Sequence, residues 1–296
     1  MTKEIFREDL HMSASNKERL EVINSIIEEY NAQNYRLTLR QLYYQLVSRD
    51  VIPNKAEEYA KLSVLLGKGR MAGFVDWDAI EDRIRRPYLP YWVIDIAGAI
   101  DDTIDQYRLN RQCNQDNYIE VWVEKDALSG VLKRVTSEYH VNLMVNRGYS
   151  SITAMHDAYS RFARAEHMGQ SGIILYLGDH DPSGVDMVRD ISTRLTEFGV
   201  SVDVQHIALT DEQIYKYNPP PNPTKVSDPR AKKYIEQYGN TSWEVDALRP
   251  DVLHKLVVSS IEENIDMDMF YEQKEQEKKD IERLKEIRTN FEEDDE

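Results

Sequence analysis

The chain has 296 residues, 41% of them hydrophobic, a formal net charge of −16 and a single cysteine, Cys113. One cysteine excludes an internal disulfide and a cysteine-based zinc centre. No apolar run approaches the ~20 residues of a membrane span, and the first residues lack a signal-type apolar stretch, so a soluble cytoplasmic protein of about two domains is expected.

The charge is unevenly spread. Residues 1–92 carry fourteen basic and fourteen acidic side chains, and residues 36–86 carry ten basic against seven acidic, so the later residues hold the whole deficit. A neutral-to-basic N-terminal part is compatible with nucleic-acid contact, which the net charge alone would discourage.

Residues 16–31 place Leu20, Ile23, Ile26 and Ile27 at helical spacing. Thr38 is an N-cap for a second helix over 39–49, and Pro53 in "VIPN" breaks it. A third helix is expected over 55–66. "GKGRMAG" (67–73) reads as a basic glycine turn, followed by a short helix over 78–85. Short helices around a basic turn suggest a winged-helix-like DNA-binding unit over 1–92, with Lys68 and Arg70 as DNA contacts. "RRPYLP" (85–90) marks its boundary, and 93–115 is expected to be a connecting helix and linker, helical over 94–110.

The pattern then changes to alternating strands and helices. Strands are expected over 118–124, 141–146, 172–179 and 201–209. Helices lie between them, the last stopped by Gly199. This is an α/β fold with a mostly parallel four-stranded sheet over 116–210. A proline-rich loop (217–230) and a helix over 243–266 form a C-terminal extension (211–270). The charged tail, 271–296, reads as a solvated helix that frays at its end.

Ligands of open α/β sheets collect at the carboxyl ends of strands. The first strand ends in Glu124, and the third runs into Asp179 and Asp181 of "GDHDPSG". Three oxygen donors with no cysteine favour Mg²⁺. The competing reading for Asp181 is a helix cap. His180 points the other way in an extended segment and is read as a packing residue. Lys125 could balance charge or meet a phosphate. Arg147 in "NRGYSS" could do the latter, or be an ordinary turn arginine. Glu244 and Asp246 of "WEVDAL" could join the site, but a cap role is favoured for them.

On the second helix, Leu39, Leu42, Tyr43, Leu46 and Val47 form the buried stripe. Arg40 and Tyr44 share another face. A partly exposed tyrosine beside an arginine can serve as a nucleophile, because the cation favours a phenolate whose free pKa is ~10. Alone, such a pair is ordinary. Together with an acidic metal site it is equipment for cutting a phosphodiester by transesterification.

"LTLRQLYYQL", "VEKDAL" and "GDHDPSG" together resemble the motifs of the A subunit of topoisomerase VI and the related meiotic double-strand-break transesterase. The resemblance spans roughly 36–210. It implies a winged-helix domain with Tyr44 as nucleophile and Arg40 as its arginine. It also implies a Toprim domain in which Glu124, Asp179 and Asp181 hold Mg²⁺. A homodimer is implied as well, acting on double-stranded DNA and pairing the tyrosine of one protomer with the acids of its partner. In the family an ATPase B-type subunit is a further partner. The short segment before the tyrosine helix points to a compact stand-alone relative and argues against strand passage. Two other functions remain open at this stage. One is a Toprim nuclease using a metal-bound water; the other is a non-catalytic DNA- or partner-binding protein.

Overall fold

A computed structural model describes residues 3–81, 90–146 and 150–294, with side chains up to residue 290. Helix α1 (Ala14–Asn31) starts at Ser13, whose hydroxyl accepts from Asn16 N, and buries Leu20, Ile23, Ile26, Ile27 and Tyr30. Helix α2 (Leu39–Ser48) is capped as expected. Thr38 and Gln41 satisfy each other's backbone N–H groups in a capping box.

Helix α3 (Ala56–Met71) runs straight through the stretch expected to be a turn. Of its glycines, Gly69 serves packing. A Cβ on Gly69 would sit 3.1 Å from Leu20 and 3.2 Å from Val75, so its absence lets α1 and the chain after α3 come close. Lys68 and Arg70 thus occupy the last helical turn. Lys68 is exposed. Arg70 donates to the Ile80 carbonyl at 2.9 Å and lies over the Trp77 ring. Of the helix expected over 78–85, the described part is one 3₁₀ turn, Trp77–Ala79, capped by Asp76. The remainder lies outside the described residues. Single bridges join Ile5 to Ala72 and Leu37 to Ile80. Helix α4 (Ile96–Gln106) is shorter than expected, because Asp95 caps it through Gly98 N and so fixes its start.

The alternating segment forms β1 (Asn117–Val123), α5 (Ser129–Tyr139), β2 (Asn142–Val145), α6 (Ile152–His167), β3 (Ser171–Leu177), α7 (Pro182–Phe198) and β4 (Val202–Ala208). The four strands are all parallel, in the order β2-β1-β3-β4. The protein is therefore α/β, with eleven α-helices among the described residues. Gly199 ends α7 with φ +101°, a left-handed conformation that suits glycine.

Apolar clusters cover both sheet faces, as all-parallel sheets require. On one face, Ile119, Val121, Val123, Ile173, Leu175 and Leu177 share a continuous core with the N-terminal helices and α5. On the other, Trp122, Ile174 and Tyr176 pack against α6 and α7. That second face also buries Glu120, which binds Arg161 through both carboxylate oxygens, at 2.5 and 2.9 Å.

The C-terminal part departs most from expectation. The proline-rich stretch begins at the end of α8 (Asp211–Tyr217) and contains β5 (Pro221–Pro223). After α9 (Ala231–Tyr238), β6 (Thr241–Trp243) pairs with β5. A two-stranded ribbon leaves edge positions for residues lacking an N–H. The expected 243–266 helix is confined to α10 (Pro250–Glu262), which begins with Pro250 at its first position. Helix α11 (Met267–Asp294) is anchored rather than wholly solvated. Buried Glu277 accepts from Arg111 at 3.0 Å and from Leu109 N at 2.8 Å, and Asp280 accepts from Tyr107 at 2.9 Å.

Candidate functional site

The chain passes from β1 through α5 to β2 on one side, and from β3 through α7 to β4 on the other. The connections diverge between β1 and β3, and this divergence opens a crevice beyond the carboxyl ends of those strands. Glu124 follows β1 directly, and Asp179 and Asp181 follow β3. The structure brings the first two together, with Asp179 N donating to Glu124 Oε2 at 3.3 Å. Asp181 caps α7, Oδ1 accepting from Ser183 N at 2.9 Å and Gly184 N at 2.7 Å. A Cβ on Gly184 would lie 2.0 Å from the Asp179 carbonyl oxygen, so only glycine lets the chain double back here.

Two further acids enter from a distant segment. His180 N donates to the Trp243 carbonyl at 2.8 Å and Trp243 N to the His180 carbonyl at 3.0 Å. This bridge carries Glu244 and Asp246 into the crevice. Neither supplies the cap expected of it, and Glu244 precedes its 3₁₀ turn without a side-chain cap bond. Instead Val245 N donates to Asp179 Oδ1 at 2.9 Å, and Asp246 is fully buried. The signal that could have found them is the pairing of two acids one residue apart in "WEVDAL", the same spacing as Asp179 and Asp181.

Two cations answer these acids. Lys125 Nζ lies 2.8 Å from Asp179 Oδ2, 2.8 Å from Glu244 Oε2 and 3.1 Å from Asp246 Oδ1. Arg40 Nε donates to Asp246 Oδ2 at 2.6 Å, and Arg40 Nη2 bonds Glu244 Oε2. The same nitrogen lies 3.5 Å from the Tyr44 hydroxyl, and the guanidinium sits over the Tyr44 ring. Glu244 also acts on the Tyr44 hydroxyl electrostatically. Arg40 and Tyr44 thus meet within one chain the same loop that joins the strand-end acids.

Tyr44 is 4% exposed, against the expectation of a partly exposed phenol. Helix α2 buries more than its apolar stripe, because the Val245–Leu248 segment covers the face beside Arg40. Tyr43 is core as expected, its hydroxyl 3.0 Å from Asn54 Oδ1.

Burial raises the Tyr44 hydroxyl well above the ordinary phenol range, and Asp246 and Glu244 add to this against the pull of Arg40. Burial pushes Asp179 up to about 7, opposed by Lys125 and reinforced by Glu124 and Asp246. Glu124 is raised by burial and by Asp181. Burial works the same way on Glu244, yet Lys125, Tyr44 and Arg40 pull it down to about 2.

Five carboxylates therefore face two cations. Among the described residues, no ion pair reaches Glu124 or Asp181. The donors are all hard oxygens, and among the described residues carboxylates outnumber cations by three, a donor set whose chemistry suits a divalent cation such as Mg²⁺. Among the described residues no group of three His, Cys, Asp or Glu side chains is placed to hold a metal ion, and Lys125 pairs with Asp179 at 2.8 Å.

The other sequence candidates lie elsewhere. His180 packs as expected, its Nδ1 2.8 Å from the Tyr234 hydroxyl and its Nε2 3.2 Å from Asp211. Among the described residues, no hydrogen bond or ion pair joins Lys68 or Arg70 to the site acids, and Arg147 lies outside the described residues. No helix among the described residues is long and apolar enough to cross a membrane. No family model matches the chain, and a search of curated proteins finds no match.

Proposed function

We propose that the chain cleaves double-stranded DNA by Mg²⁺-dependent tyrosine transesterification, as a homodimer of the topoisomerase VI A-subunit type. The observation that carries this reading is that Arg40, beside Tyr44, bonds Glu244 and Asp246, the loop acids that Lys125 and Val245 N tie to Asp179 at the β3 end. In this reading the N-terminal helices form a winged-helix-like unit and the parallel sheet a Toprim domain. Glu124, Asp179 and Asp181 would hold Mg²⁺, which supplies charge neutralisation at the phosphate. Tyr44 is the nucleophile. Its oxygen bonds to phosphorus, the bond to the neighbouring sugar oxygen breaks, and that oxygen leaves as a hydroxyl. Arg40 offsets charge on the reacting phosphate. Lys68, Arg70, Lys125 and Arg147 are the proposed DNA contacts, and the protein acts where DNA is, in the cytoplasm or nucleoid. An ATPase B-type subunit is a further partner this reading admits.

A second reading has its own support. Tyr44 is buried and its hydroxyl is raised well above the ordinary phenol range, an arrangement that suits a hydrolytic nuclease in which a metal-bound water attacks. The deciding experiment incubates the protein with supercoiled DNA and Mg²⁺, then adds detergent with and without protease. DNA ends that enter a gel only after proteolysis, and that vanish in Tyr44→Phe, support transesterification. Free ends that persist in Tyr44→Phe support hydrolysis. No cleavage under any divalent cation, with Glu124→Ala silent in DNA binding, supports a non-catalytic DNA-binding protein.

A further inference from the structure

We infer that Lys125 is a displaceable internal counter-ion, which holds the site acids together until a divalent cation takes them and then frees its ammonium for a phosphate. The inference rests on the metal-site reading above and adds the regulation of that site. Lys125 immediately follows Glu124, so the strand end that delivers one acid also delivers the cation that answers the others. Its ammonium touches Asp179, Glu244 and Asp246 within 3.1 Å, and its side chain is 17% exposed. The ammonium donates to Glu244 and Asp246 and is ion-paired with Asp179, so three carboxylates share one nitrogen.

This arrangement blocks the site in a specific way. Asp179 Oδ1 accepts from Val245 N and Asp179 Oδ2 is taken by Lys125, so that acid has no oxygen free of a partner. Among the described residues, no ion pair reaches Glu124 or Asp181 beside it. Glu244, which bonds Lys125, also bonds Arg40, whose Nη2 lies 3.5 Å from the Tyr44 hydroxyl. Lys125 and Tyr44 are therefore coupled through one carboxylate. When Lys125 leaves, Glu244 loses one of its two cations, and its effect on the Tyr44 hydroxyl changes with it. A lysine suits this exchange better than an arginine, being a compact charge on a flexible stem.

The test labels lysines of the full-length protein with an acetylating reagent and reads each site by mass spectrometry, with and without MgCl₂, against NaCl at matched ionic strength. Mn²⁺ binding is followed in parallel by electron paramagnetic resonance. Lys125 acetylation is expected to rise several-fold with Mg²⁺ and not with Na⁺, while exposed Lys68 stays constant. If Mn²⁺ binds and Lys125 stays protected, the counter-ion inference is overturned and the metal site stands. If no Mn²⁺ binds, both fall. A second measurement compares melting temperatures. Lys125→Met is expected to melt below the wild type without metal, and Mg²⁺ is expected to close that gap. A gap that Mg²⁺ leaves unchanged marks Lys125 as a fixed structural partner and overturns the exchange.

Discussion

Arg40 and Asp246 are separated by 206 positions in the chain, yet Arg40 Nε donates to Asp246 Oδ2 at 2.6 Å. Asp246 is fully buried, whereas the arginine side chain is 42% exposed. The pair joins the tyrosine helix to the loop that carries the acids, and so decides whether two distant parts of the sequence act as one site.

Asp246→Ala is expected to cost stability because it leaves Lys125 and Arg40 short of a buried partner. Removing one member of a buried pair costs about 3 kcal/mol or more. Urea denaturation of Asp246→Ala, Arg40→Ala and the double variant should show a coupling energy well above the ~0.5 kcal/mol of independent sites. Additive losses would show that the two side chains do not act together.

Gly184→Ala should be among the most damaging single-methyl changes in the protein. The added carbon would overlap the Asp179 carbonyl, which is backbone and cannot swing aside. We expect a loss of about 2 kcal/mol or more in folding stability, together with weakened Mn²⁺ binding. Ser183→Ala, one residue earlier, is the control and should leave both nearly unchanged.

His206 gives a pH dependence whose sign can be worked out. Burial lowers its pKa to about 4, with His180 adding and Asp211 opposing, and its ring lies against Tyr176. The unfolded chain takes up this proton near pH 6.5, and the folded protein only near pH 4. The stability that neutral His206 contributes is therefore complete above pH 6.5 and is lost as pH falls toward 4. The stability difference between the wild type and His206→Gln should shift against the wild type by on the order of 2 kcal/mol across that window. A difference independent of pH would show that the imidazole titrates normally.

Helix α11 should open in two steps. Its first half is fixed by Glu277 and Asp280, while Arg288 in its second half bonds exposed Asp101. Hydrogen exchange should be slow around Glu277 and fast beyond Arg288. Glu277→Ala should speed exchange in the first half and leave the sheet protected, because it removes the carboxylate paired with the buried Arg111 guanidinium.

The sheet was legible because its residues obey one rule at a time. Apolar runs such as "GIILYL" end at glycines and acids, and periodicity alone places them. Thr38 was legible as a cap for the same local reason. The stretch "GKGR" misled because glycine has two uses, and only the neighbours Leu20 and Val75 reveal that here it makes room between packed segments. Glu124, Asp179 and Asp181 could be placed on one edge from strand order. The roles of Glu244 and Asp246 could not, since they depend on a backbone bridge to His180 that no local pattern encodes. The burial of Tyr44 was hidden for a related reason. What covers it comes from residues near position 245, and helix periodicity describes only a helix's own faces.

The two-bond bridge between His180 and Trp243 makes the acid pairs on either side of it inherit each other's position. A residue change near 243 would be felt at 179 and 181 although some 60 positions separate them. The two stretches should therefore drift together in any lineage that keeps the chain working. Grafting one of them into another scaffold without its companion would transplant the letters of a site but not its shape.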